Sequence, residues 1–128
     1  MLDKILLFPY YLVLKLRNRR YGRPGAKYRY ADAPTLCVGN VTVGGTGKTP
    51  HVEMVLRMLQ QSPDWHDRHL AVLSRGYRRE STGFQQVVAT GSASAFGDEP
   101  LQIKKKFPGV TVAVDKNRVE GCELLVHP

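Results

Sequence analysis

Residues 39 to 50 read GNVTVGGTGKTP, and this stretch decides the fold prediction. It is close to the phosphate-binding pattern G-x-x-x-x-G-K-[ST], although Thr42 stands where the pattern has its first glycine. The glycines that follow let backbone N–H groups approach a phosphate, while Lys48 and Thr49 would reach the β- and γ-phosphates and a Mg²⁺ ion. The alternative is an ordinary glycine-rich turn. The residues predicted to bind ATP are Thr42, Val43, Gly44, Gly45, Thr46, Gly47, Lys48 and Thr49, with Thr49 also on the metal.

The sequence on both sides of this loop predicts a strand before it and a helix after it. Residues 35–38 form a short apolar run that is typical of a buried strand. After the loop, Pro50 suits the first turn of a helix. Apolar residues then recur at the spacing of one helix face, at Val52, Val55, Leu56 and Leu59. A strand, a glycine-rich turn and an amphipathic helix are the surroundings that a phosphate-binding loop requires.

The rest of the chain continues the alternation of strands and helices. Further strands are predicted over 70–73, 84–89 and 110–114, helices over 98–107 and 118–126, and a small-residue loop over 91–95. The order predicts an α/β fold, a P-loop NTPase-like and mostly parallel sheet with helices on both faces. Such sheets bind ligands at the carboxyl ends of their strands. The stretches expected there are residues 42–49, 74–77 and 115–118, with Asp98 able to reach the same edge.

Charge is concentrated at the N-terminus. The net charge is +8, but residues 1–31 hold eight Lys and Arg against Asp3 alone, and the remainder has eleven basic and ten acidic residues. A nucleic-acid groove across the fold would spread basic residues over it, so no nucleic-acid partner is expected.

The N-terminal segment combines an apolar run with a basic one. No charged residue occurs over 5–14, but a bilayer-spanning helix needs about 20 apolar residues and Pro9 interrupts the run. A cleaved signal peptide is excluded because seven basic residues separate the run from a small-residue site. We predict a membrane-associated helix over 1–31, on an anionic surface, followed by a domain over 32–128. The alternative is a helix packed on the domain with a solvated charged tail.

Four separated motifs identify a family resemblance. They are residues 38–50, Ser74-Arg75-Gly76-Tyr77, Asp98-Glu99-Pro100 and Asp115-Lys116-Asn117-Arg118-Val119. In this order they resemble the tetraacyldisaccharide 4′-kinase family of lipid A biosynthesis. The resemblance implies ATP- and Mg²⁺-dependent phosphorylation of the 4′-hydroxyl of a tetraacylated glucosamine disaccharide 1-phosphate, the lipid A disaccharide precursor. It also implies a peripheral location on the cytoplasmic face of the bacterial inner membrane.

The resemblance assigns roles to three residues. Lys48 would act on ATP, and Asp98 would be the base for the sugar hydroxyl, because a carboxylate can accept that proton late in a loose transition state. From the residues alone, helix capping beside Glu99 is the favoured explanation of Asp98, and only the resemblance reverses that order. Arg118 would pair with substrate phosphate or transition-state charge, or be a solvated residue at a helix start. Arg78 departs from the family pattern, which has a small residue at this place.

The resemblance also implies that the family is longer than this chain. Asp115 follows an apolar strand, as a Mg²⁺-binding carboxylate would. In the family, however, the acidic pair belongs to an Asp-Asp-Gly motif that comes later. We therefore expect an N-terminal part of such a kinase, inactive alone and completed by a C-terminal part. The rival function is a membrane-attached regulatory P-loop ATPase, which usually carries a lysine where this loop has Val43.

Overall fold

The structure is a computed structural model that describes residues 2–21, 29–39 and 48–128. The chain divides into two compact units, Met1–Tyr30 and Ala31–Pro128. The elements in chain order are α1 (Leu2–Tyr21), α2 (Lys48–Gln61), β1 (Ala71–Ser74), β2 (Gln85–Gln86), α3 (Ala93–Phe96), α4 (Asp98–Lys106), β3 (Thr111–Val114) and α5 (Arg118–Val126).

Helix α1 forms the first unit and continues through Pro9. Its large apolar side chains are exposed at Phe8, Tyr11, Leu12, Val13 and Leu16. Arg19 and Arg20 occupy its last turn, and the Lys15 ammonium lies 6.0 Å from the centre of the Tyr11 ring. Over the described ranges 2–21, 29–39 and 48–128, no helix has both the length and the apolar character needed to cross a bilayer.

The second unit is built on a sheet in which β3 lies between β1 and β2. β1 and β3 are parallel, with Ala71 opposite Thr111 and Ser74 opposite Val114. β2 pairs with β3 in the antiparallel direction through Gln85. The predicted strands over 70–73 and 110–114 are confirmed, and the one over 84–89 is reduced to two residues at the edge. The sheet is therefore mixed, with its principal pair parallel.

Helices cover both faces of this sheet. Side chains alternate along a strand, and Val112 and Val114 of β3 are fully buried in one cluster with Ile103 of α4. On the opposite face, Gly121 of α5 packs so closely on Leu73 that no side chain would fit between them without a shift. Helices therefore lie on the two sides of the β1–β3 pair, as the alternation of elements predicts.

The helices agree with the sequence patterns more closely than the loops do. The helix expected over 118–126 has those bounds, and the one expected over 98–107 ends one residue earlier, at Lys106. The small-residue loop expected over 91–95 is wrong, because α3 begins at Ala93. Ser92 caps this short helix, since its hydroxyl accepts a hydrogen bond from Ala95 N at 3.3 Å.

The buried strand expected over residues 35–38 is also wrong. These residues form neither helix nor strand, and Leu36 is 69% exposed. Cys37 within this run is exposed as well, and Cys122 is half-buried; both are free thiols. A run of apolar residues becomes a buried strand only where another strand bonds to it, and no strand of the described sheet does so here.

Candidate nucleotide and acceptor site

The N-terminus of α2 carries the described part of the glycine-rich motif. Lys48 and Thr49 are the first two residues of the helix and Pro50 is the third, as the sequence predicts. Lys48 is exposed, and the first turn has no acidic residue. The N–H groups of a helix start and an exposed lysine in a first turn without an acidic residue suit an anion. Thr42, Val43, Gly44, Gly45, Thr46 and Gly47 lie outside the described residues.

Helices α2 and α4 are joined by a buried carboxylate, Glu53, which is 5% exposed. Lys106 donates to both of its oxygens at 3.0 Å, Gln102 donates at 3.0 Å, and Arg57 lies 3.5 Å away. The Lys106 hydrogen bond is the main reason why the pKa of Glu53 is lowered, and the Gln102 bond and the charges of Lys106 and Arg57 add to it. Burial acts in the opposite direction but does not prevail.

These contacts also set the relative direction of the two helices. Glu53 contacts Gln102 and Lys106, and one turn further along α2 the Arg57 guanidinium lies 5.6 Å from the centre of the ring of Phe107, the C-cap of α4. Because contacts further along α2 involve residues further along α4, the two helices run in the same direction. Their N-termini, which begin with Lys48 and Asp98, are therefore at the same end of the pair.

The carboxyl ends of β1 and β3 form one edge. Ser74 lies opposite Val114, and Asp115 N donates to Ser74 O at 2.9 Å. The two stretches that follow these strands, residues 75–78 and 116–118, therefore start side by side. This edge is the place where sheets with parallel strands bind ligands.

Asp98 begins α4 beside this edge. The preceding Gly97 has φ +94°, and a side chain there would come within 3.2 Å of Tyr77 O and 3.5 Å of Gly76 Cα. The backbone before Asp98 thus touches the turn that follows β1. Gly97 is the N-cap and has no side-chain cap bond, so Asp98 is not the capping residue. Its carboxylate is exposed and bonds to no residue that the structure describes, although its charge favours the helix start.

A buried arginine, Arg79, packs against this turn. It is 9% exposed, and its guanidinium donates to Gly83 O at 2.6 Å and to Ser81 Oγ at 3.2 Å. Ser81 Oγ in turn donates to Ala95 O. The Arg79 side chain also fills the space beside Gly76, where any added side chain would overlap it. Arg79 therefore ties the turn after β1 to the segment that leads into α4.

Arg118 begins α5 at the same edge. The Asn117 side chain caps this helix by accepting from Glu120 N at 3.4 Å, and Arg118 is exposed. Asp115 is 3% exposed, and its Oδ1 accepts from Asn117 N at 2.9 Å, while its Oδ2 has no hydrogen-bond partner in the part of the chain that the structure describes. Asp115 therefore shapes the turn into α5. Over the described ranges no group of three or more His, Cys, Asp or Glu residues could hold a metal ion.

The structure thus brings three of the sequence-predicted stretches together and leaves one undetermined. Asp98, Arg75 and Arg118 lie on segments that meet at the strand-end edge, and Lys48 begins the helix that runs beside α4. The sequence analysis did not find Glu53 or Arg79. Glu53 carries a detectable signal, since an acid beside Val52 and Leu56 falls on the apolar face of α2. Arg79 has no such sequence signal, because its burial depends on contacts between loops.

Comparison with known proteins identifies the family. The model of the tetraacyldisaccharide-1-P 4′-kinase family, LpxK, matches residues 3–128. The chain belongs to this family. It is 48% identical over 112 residues to a tetraacyldisaccharide 4′-kinase of Phocaeicola vulgatus, covering 88% of this chain and 29% of that protein. The corresponding protein of Flavobacterium johnsoniae is 42% identical over 125 residues, covering 94% of this chain and 35% of that protein.

A solved structure of the family has the same fold. A crystal structure of LpxK from Aquifex aeolicus in complex with ATP superposes with a TM-score of 0.78 at 33% identity. The match covers 97% of this chain and 40% of that one. The α/β kinase fold expected from the glycine-rich stretch is therefore confirmed. The chain spans about a third of the length of these curated relatives.

Proposed function

We propose that this chain forms the nucleotide- and acceptor-binding part of an ATP-dependent lipid-sugar kinase. The reaction would transfer the γ-phosphate of ATP to the 4′-hydroxyl of a tetraacyl disaccharide 1-phosphate, the lipid A precursor. Membership of the family supports the reaction class. The observation that carries the proposal is the position of Asp98, an exposed carboxylate at the strand-end edge, at the start of a helix that runs beside α2.

Asp98 would accept the proton of the attacking hydroxyl. Its carboxylate is exposed and bonds to no described residue, so a substrate hydroxyl can approach it. Proton transfer to a positioned carboxylate contributes about 10²- to 10⁴-fold to the rate of such reactions. The backbone contact of Gly97 with Tyr77 keeps this carboxylate at the edge.

Lys48, Thr49 and Arg118 would handle the phosphates. ATP and Mg²⁺ fit the start of α2, since Lys48 is exposed in a first turn that has no acidic residue and Thr49 offers a hydroxyl. With the glycine-rich loop they would hold the nucleotide and its metal ion, which supplies charge neutralisation on the phosphates. Arg118 would stabilise charge on the transferred phosphoryl group or on the substrate phosphate.

The segment 1–31 would bind the chain to an anionic membrane surface, the cytoplasmic face of the inner membrane. Helix α1 supports this because it exposes five large apolar side chains together with basic residues. We expect the chain to sediment with vesicles that contain phosphatidylglycerol and to remain in solution with phosphatidylcholine alone. A chain lacking residues 1–31 that still sediments with phosphatidylglycerol would contradict this assignment.

A phosphate-transfer assay tests the enzymatic proposal. The 128-residue chain, and the chain joined to the remaining C-terminal part of the Phocaeicola vulgatus relative, are incubated with labelled ATP and the disaccharide lipid. We expect labelled lipid only from the joined protein. Labelled lipid from the 128-residue chain would show that it is active without a C-terminal part. Lipid-stimulated ATP hydrolysis by the joined protein without labelled lipid would favour the alternative, a regulatory ATPase.

The Asp98→Asn variant tests the base. In the joined protein we expect kcat to fall about 10²- to 10⁴-fold while the KM for ATP stays unchanged. Asp64→Asn is the matched control, because Asp64 is an exposed aspartate in the connection between α2 and β1. An Asp98→Asn variant with the kcat of the control would exclude Asp98 as the base.

A further inference from the structure

Arg78 has the one strained backbone among the residues other than glycine that the structure describes. Its φ is +61°, in the left-handed region that glycine adopts readily and other residues avoid. The strain arises in a tight turn, where Arg79 N donates to Gly76 O at 3.1 Å and Arg78 occupies the third position. Positive φ at the third position is the mark of a type II turn, which favours glycine there. An arginine at this place therefore needs an explanation other than the turn.

The Arg78 side chain is exposed and contacts the neighbouring Tyr77 ring. Its guanidinium lies 5.2 Å from the centre of the Tyr77 ring, and that ring is 79% exposed. The guanidinium has no hydrogen bond or ion pair to any residue within 2–21, 29–39 or 48–128. Stacking on an aromatic ring limits the orientations of a guanidinium while its N–H donors stay available. Arg78 is thus a cation oriented by Tyr77, with no hydrogen bond or ion pair to the described residues.

The location of Arg78 indicates what it would contact. Tyr77 O touches Gly97, the residue before Asp98, so this turn borders the proposed acceptor site. Arg75 at the start of the same turn is exposed too, and Lys116 and Arg118 are exposed beyond β3. These exposed cations suit a phosphate group, which guanidinium binds with two parallel hydrogen bonds.

We propose that Arg78, oriented by Tyr77, is a specificity-determining residue that binds the phosphate already present on the phosphoryl acceptor. The inference rests on the proposed function. It adds to that function by naming the group that recognises the anionic end of the substrate. Arg78 keeps a strained backbone at an exposed position beside the proposed base. Contact of its side chain with a ligand would explain why this strain is retained.

Arg78→Gly is a suitable test because glycine keeps the backbone of the turn and removes only the cation. Binding of the 128-residue chain is measured to the tetraacyl disaccharide 1-phosphate and to the same disaccharide without its phosphate, in the same detergent. We expect the original chain to prefer the phosphorylated form by about 10-fold, the size of one good charged hydrogen bond. Arg78→Gly should lose this preference and keep its affinity for the form without phosphate.

Two further variants complete the experiment. Arg68→Gly, which removes an exposed arginine before β1, should keep the preference, and Arg78→Lys should keep part of it because lysine cannot form two parallel bonds. Arg78→Gly with the full preference, or an original chain that binds both forms equally, would overturn this inference and leave the proposed function standing. An original chain that binds neither disaccharide would overturn both.

Discussion

The two ends of α4 hold their charged side chains in different ways. At the C-terminal end, Lys106 is paired with the buried Glu53, which also accepts from Gln102. At the N-terminal end, Asp98 is exposed without a partner among the described residues, and the turn beside it carries the strained Arg78. Paired buried charges hold helices together, whereas exposed unpaired charges add little to stability. One end of this helix therefore stabilises the fold, and the other end carries the proposed function.

The largest expected effect comes from the apolar part of α4 between these ends. Ile103 is 1% exposed in the cluster with Val112 and Val114. Ile103→Ala should lower the free energy of unfolding by about 2 to 5 kcal/mol, since it leaves a cavity as well as losing burial. Urea denaturation measures this. Met58→Ala, at a 63% exposed position, should change it by less than about 0.5 kcal/mol, and equal effects would contradict the assigned core.

The backbone contact at the N-terminal end should give the next largest effect. Gly97→Ala places a side chain at φ +94° and 3.2 Å from Tyr77 O. We expect a loss of about 2 to 3 kcal/mol on urea denaturation, because this conformation is open almost solely to glycine. Gly109→Ala is the matched control, since a side chain there has nothing within 4 Å. If both variants were equally stable, the contact between the turn and α4 would not exist as described.

The buried carboxylate makes a smaller contribution that depends on pH. Glu53→Gln should lower the free energy of unfolding by about 1 to 2 kcal/mol at pH 7, because it removes the charge that pairs with Lys106. The loss is limited since Lys106 and Arg57 are half exposed and water can solvate them. The pKa of Glu53 is lowered from its usual 4.5, so its contribution is complete above that pH and is lost as the pH falls through the lower folded-state value.

The stability difference between the original chain and Glu53→Gln should therefore shrink below about pH 4.5. Unfolding curves at several pH values between 3 and 7 measure it. Glu80→Gln, at an exposed glutamate, controls for loss of a surface charge. A difference that stayed constant down to pH 3 would mean that the Glu53 carboxylate is not stabilised by its neighbours.

The smallest expected effect has the opposite sign. Arg78→Gly should raise the free energy of unfolding by about 1 kcal/mol, since it relieves the left-handed backbone at φ +61°. Denaturation of this variant beside Arg68→Gly measures the gain. A loss of stability in Arg78→Gly would place Arg78 with Lys106 among the residues that hold the fold, and would remove the contrast between the two ends of α4.

The extent of agreement between sequence and structure differs from element to element. The apolar spacing in α2 and the apolar runs of β1 and β3 were sufficient to predict these elements, because periodicity reports burial directly. Residues 35–38 have an equally apolar run but lie outside the described sheet, because pairing depends on another strand. α3 was missed because its helix is a single turn that relies on the Ser92 cap.

The sequence by itself determined the family, since its four motifs are recognised by residue type and spacing, and it proposed the roles of Lys48, Thr49, Asp98 and Arg118. Only the tertiary structure decided that α2 and α4 run the same way, that Gly97 brings Asp98 against the turn after β1, and that Arg78 is strained. The reason is physical. Spacing along a chain encodes local conformation and burial, whereas contacts between residues far apart in sequence, such as Glu53 with Lys106 at 53 positions, depend on how the elements pack.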